Sequence, residues 1–212
     1  MEQTQNDMGC EICDTMSIRK SNFSAFLVTS NGIDKSGFYQ WVFYPGMLFQ
    51  SASKWWGDWG TRKRPHEGLD ICFYRGTDGI VSSLDAKVNI PVLYEGTVVW
   101  LFVEFLGKSV FVLIYIYDTH KNQLCRIFGH TDPCHYIEPA TPLGEGAIIA
   151  TICDAERRGA QMSSHLLLSI AWVPKSYDYQ QLNWETLHQN TEVMLADPLD
   201  FIECNYTILP NR

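Results

Sequence analysis

The feature that most constrains this chain is a succession of short segments rich in β-branched and aromatic residues. They cover 23–29, 39–44, 69–74, 92–106, 109–117, 124–128, 147–153 and 165–173, and Gly, Asn, Asp or Pro lie near most of their ends. Branched and aromatic side chains suit the pleated, half-buried surface of a strand, and the residues between them supply turns. Strands this short predict a mainly β fold: an antiparallel sheet built as a sandwich or an open barrel. Helical periodicity is sparse. Residues 177–192, with Leu182, Leu187 and Val193 on one side and Asp197-Pro198 beyond, read as a short C-terminal helical extension.

The most apolar stretch, 97–117, is long enough to span a bilayer. Glu104, Gly107 and Lys108 interrupt it, and its Val, Ile, Phe, Tyr and Trp content favours strands. It reads as two strands around a Gly107-Lys108 turn, so no transmembrane segment is expected. Residues 1–20 are polar with little periodicity and read as a flexible arm; 21–212 read as one domain. With 46% apolar residues in 212, the chain can bury one sizeable core.

Net charge is −8, and the only basic cluster is Arg62-Lys63-Arg64. A surface that tracks phosphates needs many more clustered cations, so nucleic acid is excluded as the expected partner. The N-terminus has neither the basic nor the apolar stretch of a secretory signal. The expectation is a cytoplasmic chain with its seven cysteines reduced, with export left open. Cys10-x-x-Cys13 has no second pair at zinc-ribbon spacing and no βαβ pattern around it, so it is a weak signal for metal or redox work.

The chemically loaded segment is Arg64-Pro65-His66-Glu67-Gly68-Leu69-Asp70-Ile71. It places His-x-x-x-Asp at the start of a predicted strand. Zinc accepts imidazole nitrogen and carboxylate oxygen at about 2 Å, and a catalytic site takes three protein ligands with a water position left open. A His and an Asp in this arrangement converge on one ion if Gly68 lets the backbone turn sharply between them. By itself, the pattern also describes a surface histidine and a solvated aspartate.

The wider context resembles the lysostaphin-type (LytM-like) zinc endopeptidases. Gly60-Thr61-Arg62 followed by His66-Glu67-Gly68-Leu69-Asp70 is similar to that family's Gly-x-Arg and His-x-Gly-x-Asp. Pro91-Val92 through Gly96-Thr97-Val98, Arg126-Ile127-Phe128-Gly129-His130, Ser164-His165-Leu166-Leu167-Leu168 and Asp197-Pro198-Leu199 follow in the family's order, over roughly 39–202. The resemblance implies that His66 and Asp70 are zinc ligands. It implies that His130 and His165 are catalytic histidines, and that the third ligand belongs at position 167. That position holds Leu167, which has no lone pair. Two positions apart on a strand, His165 and Leu167 share a face. Zinc is therefore expected to be weak or absent, unless Cys72 or the loop of Asp132, Cys134 and His135 supplies a substitute.

Three functions follow from the resemblance. One is an active metalloendopeptidase cutting peptidoglycan-like cross-bridges. A second is a non-catalytic module that binds or regulates cell-wall enzymes, with Trp55, Trp56 and Trp59 lining a substrate groove. A third is a different small-molecule or metal role on the same scaffold. His120, in an expected turn, and His188, on the expected C-terminal helix, match no family position. Residues 74–89 read as an insertion beside the site, suited to a lid or specificity loop or to plain surface elaboration.

Overall fold

The computed structural model of the chain describes residues 18–211; the Cys10-x-x-Cys13 motif and most of the polar arm lie outside them. The chain opens with helix α1 (Phe23–Ser30) and strand β1 (Phe38–Phe43). Then come β2 (Leu69–Ile71), β3 (Phe73–Gly76), β4 (Val81–Ser83) and β5 (Asn89–Pro91). The longest strands follow: β6 (Gly96–Glu104), β7 (Gly107–Tyr117) and β8 (Asn122–Pro133), then β9 (Pro142–Leu143), β10 (Ile148–Ile152) and β11 (Leu166–Pro174). Helix α2 (Thr186–Gln189), β12 (Met194–Ala196) and β13 (Tyr206–Ile208) complete it.

The fold is mainly β, as the residue pattern predicts. The larger sheet runs β12-β11-β8-β7-β6-β9; β2 pairs with β11, and β10 bridges β8 and β5. The smaller runs β13-β1-β3-β4. Every pairing is antiparallel except β1 with β13, and neither sheet closes into a barrel. The 97–117 stretch is the expected hairpin of β6 and β7. Its turn is Phe105-Leu106 rather than the expected Gly107-Lys108: Gly107, whose φ of 114° suits glycine, opens β7 opposite Glu104, and Lys108 pairs with Val103.

Two apolar clusters hold the sheets. Phe128, Leu168 and Ile170 of the larger sheet pack with Trp41 and Phe43 of β1 and with Phe23 and Leu27 of α1. On the other face, Phe111, Leu113, Cys125, Ile127, Ala171 and Val173 are covered by Leu182, Leu187 and Val193 from the C-terminal segment. Strands β7, β8 and β11 are thus buried on both faces over most of their length, which is why they read as apolar runs rather than as alternation.

Two expectations are corrected. Residues 23–29, expected as a strand, form α1. Phe23 and Leu27, and Ser24 and Val28, recur four residues apart and are the buried positions. Residues 177–192, expected as one helix, form a 3-10 turn at Tyr179–Gln181 and the single turn of α2. Asn183 breaks the run: its side-chain oxygen accepts from the backbone N–H groups of Glu185 and Thr186, an alternative to helical bonding. The expected insertion at 74–89 contains β4, which pairs with β3 in the smaller sheet.

Candidate functional site

The site is assembled around β11. Its neighbour β2 places Leu167 opposite Asp70, and its other neighbour β8 places Leu167 opposite Gly129. His66 sits in the loop before β2, where its backbone exchanges hydrogen bonds with Gln50 and Ser51. Gly68 has an ordinary φ. Its role is close approach, since a Cβ there would lie 2.2 Å from the Leu168 carbonyl oxygen. The sharp turn expected of this glycine is replaced by tight seating of the loop against β11.

His66, Asp70 and His165 converge. His66 Nε2 lies 3.1 Å and His165 Nε2 lies 3.6 Å from Asp70 Oδ1. Each ring is held from behind: His66 Nδ1 is 3.1 Å from the Leu48 carbonyl and His165 Nδ1 is 2.8 Å from the Ser163 carbonyl. A carbonyl only accepts, so both rings carry hydrogen on Nδ1 and turn Nε2 toward the aspartate. The other aspartate oxygen, Oδ2, accepts from Trp55 Nε1 at 2.6 Å and from Arg62 at 3.3 Å. Burial by itself would raise the Asp70 carboxyl; the facing His66, His165 and Arg62 outweigh it and hold the group well below the usual carboxylate range. Burial pushes His165 down to about 4, against the pull of Asp70.

His130 stands beside this group, its ring 4.8 Å from that of His165. Its backbone φ of 63° is left-handed, a conformation histidine tolerates better than most residues. The four histidine and aspartate positions open on a cavity of about 250 Å³, with walls from Trp56, Arg62, Glu67, Glu104, Phe105, Leu106, Met162, Leu167 and Trp184. A larger groove of about 880 Å³ shares Trp56 and Met162 with it. That groove is lined by Trp55, Trp59, Phe73 and the segment from Ser83 to Lys87, and by Asp154, Glu156 and Arg157 across from them.

Similar architecture exists among solved structures. A crystal structure from Pseudomonas aeruginosa described as an M23 peptidase aligns with 76% of this chain at 19% identity and a TM-score of 0.40. The solution structure of lysostaphin aligns with 72% at 11% identity and a TM-score of 0.38. The chain spans about half of each, 54% in both cases. No protein-family model and no curated protein matches the chain.

The zinc implied by the resemblance does not fit as a three-ligand catalytic centre. Among the described residues, no group of three or more His, Cys, Asp or Glu side chains that could hold a metal ion is present. Position 167 presents a leucine, 5% exposed, to the cavity. Asp70 Oδ2 is spent on Trp55 and Arg62. Cys72 points elsewhere: its thiol contacts the Ser164 carbonyl at 3.5 Å, and burial together with the Asp70 charge pushes it well above its ordinary value. Asp132, Cys134 and His135 do not line the cavity. Asp132 is paired with Thr151 of β10, and the Cys134 backbone donates to Ile149.

The tryptophans divide their work. Trp55 is buried and holds both Asp70 and the His165 ring, whose centroid is 5.1 Å away. Trp56 stacks on the Arg62 guanidinium at 4.3 Å and separates the two cavities, while Trp59 lines only the larger. His120 lies in an exposed turn, as expected. His188, on α2, contacts Glu67 at 2.7 Å on the site's rim, which no sequence motif signals. Glu104 and Trp184, which also line the cavity, match none of the family motifs in the sequence. Glu104 carried a signal, because it is a carboxylate inside an otherwise apolar strand.

Proposed function

We propose that this chain is a lysostaphin-type peptidase-like protein that keeps the cleft of such enzymes without their zinc-dependent hydrolysis, and that it binds a peptide or peptidoglycan-like ligand there. The observation that carries the reading is Leu167, registered opposite Asp70 and facing the cavity where the resemblance calls for a ligand. Removing even a partner behind a ligand costs about 10- to 100-fold in metal affinity or activity, and losing a ligand costs at least that. His66 and Asp70 hold the two family ligand positions that remain. His130 and His165 then serve as polar contacts for a bound ligand. The aromatic wall of Trp56 and Trp59, faced by Lys87, Asp154 and Arg157, suits a peptide with alternating apolar and polar groups.

The test is elemental analysis of protein purified without added metal, paired with a cleavage assay on pentaglycine and alanine-containing peptides in zinc-supplemented buffer. Far less than one zinc per chain, and no cleavage, are expected. About one zinc per chain, lost on His66→Ala, would contradict the reading and point to a substitute ligand.

A further inference from the structure

Glu104, the last residue of β6, is one of the cavity's three carboxylates, beside Glu67 and Asp70, and all its partners are donors. Oε1 accepts from Ser109 Oγ at 2.7 Å and from the His130 backbone N–H at 2.8 Å. Oε2 accepts from Trp184 Nε1 at 2.8 Å and faces His130 Nδ1 at 3.3 Å. The carboxylate is 8% exposed; burial would raise its pKa, but the bonds and charge of His130 bring it down to about 2. Nδ1 is sealed from solvent and makes no hydrogen bond of ordinary geometry, but Glu104 Oε2 stands 3.3 Å from it, so a bare lone pair there would face an anion. The proton therefore belongs on Nδ1, and the opposite edge of the ring is the one left to the cavity. Trp184 reaches Glu104 because residue 129 is glycine: a Cβ there would come within 2.7 Å of the indole.

We propose that Glu104, braced by Trp184 and Ser109, is the positioning residue for His130. It fixes hydrogen on Nδ1 and turns the Nε2 lone pair to the cavity, where it accepts from a ligand N–H, such as a peptide amide, beside the apolar wall of Phe105, Leu106 and Leu167. The ligand class rests on the reading of the cleft as a peptide site; the positioning of His130 does not.

Nitrogen-15 NMR of the histidine rings, at a pH where they are neutral, tests the positioning. Wild-type His130 is expected in the Nδ1–H form. Glu104→Leu, matched in size but without an acceptor, is expected to move it toward the Nε2–H form that free imidazole prefers. Glu104→Gln is expected to rescue the Nδ1–H form, since its amide oxygen can face the ring while its NH2 turns to the Ser109 hydroxyl. An Nε2–H ring in the wild type, an unchanged ring in Glu104→Leu, or a Gln variant behaving like the Leu variant overturns the proposal. The wild-type spectrum and Glu104→Gln decide it if Glu104→Leu fails to fold. Tetra-alanine is then titrated in. It is expected to shift the wild-type His130 Nε2 signal and to bind Glu104→Leu about 3- to 10-fold more weakly, the worth of one hydrogen bond. No response to tetra-alanine in any form overturns the peptide ligand and the cleft reading, while the ring spectra still decide the role of Glu104.

Discussion

At the scale of single residues, the site is governed by side chains that have no chemistry of their own. Leu167 fills the position where the resemblance implies a third ligand, Trp55 occupies one oxygen of Asp70, and Gly68 and Gly129 admit groups that a methyl would exclude. Gly68→Ala would press a Cβ against the Leu168 carbonyl, 2.2 Å away, and the Ser169 hydroxyl, 2.4 Å away. It is expected to cost about 1–3 kcal/mol, seen as a lower denaturation midpoint in urea. His165 makes stability depend on pH in a definite direction. Its folded pKa of about 4 lies below the unfolded value near 6.5, so the unfolded chain binds the extra proton between them. Stability is expected to fall as pH drops from about 6.5 to 4, and His165→Leu should flatten that slope. Glu104 acts later: its depressed pKa contributes stability above the ordinary glutamate range that is lost as pH falls toward about 2. Of these residues, His66, Asp70, His130, His165 and Leu167 are legible in the sequence through the family resemblance. It conceals Trp55 and Trp184 as hydrogen-bond donors, because the carboxylates they meet are 15 and 80 residues away along the chain.

At the scale of elements, β11 carries the site because it is flanked by β2, β8 and β12 and so brings Asp70, Gly129 and Leu167 into one row. The strands of the large sheet were legible from composition, since residues that must be buried on both faces are branched or aromatic throughout. The two misread segments failed for opposite reasons. In α1 the four-residue recurrence of buried positions outweighs strand-like composition. In 177–192 the apolar spacing is helical, but asparagine side chains capture the backbone bonds a helix would need. That C-terminal segment is a structural cover for the outer face of β7, β8 and β11. Leu182→Ala, which empties a fully buried position in it, is expected to cost about 2–5 kcal/mol. Hydrogen exchange should be slowest in β8 and β11 and fastest in β4 and β13, the edge strands of the smaller sheet.

At the scale of the whole molecule, two sheets and the loops between them leave a polar cavity opening beside a longer aromatic groove. Among the described residues, no helix is long and apolar enough to cross a membrane. The buried carboxylates of the cavity are met by donors: Asp70 by Arg62 and Trp55, and Glu104 by Ser109, Trp184 and the His130 backbone. Such pairing matters because an unpaired buried carboxylate would be costly. The central claim is that residue 167 alone separates this cleft from a three-ligand zinc site. Zinc titration by calorimetry of the wild type and of Leu167→His tests it most directly. The account predicts weak or undetectable zinc binding by the wild type and a gain of at least about 10- to 100-fold in Leu167→His, the range set by a lost partner. Tight binding of one zinc by the wild type, or no gain in the variant, would contradict it.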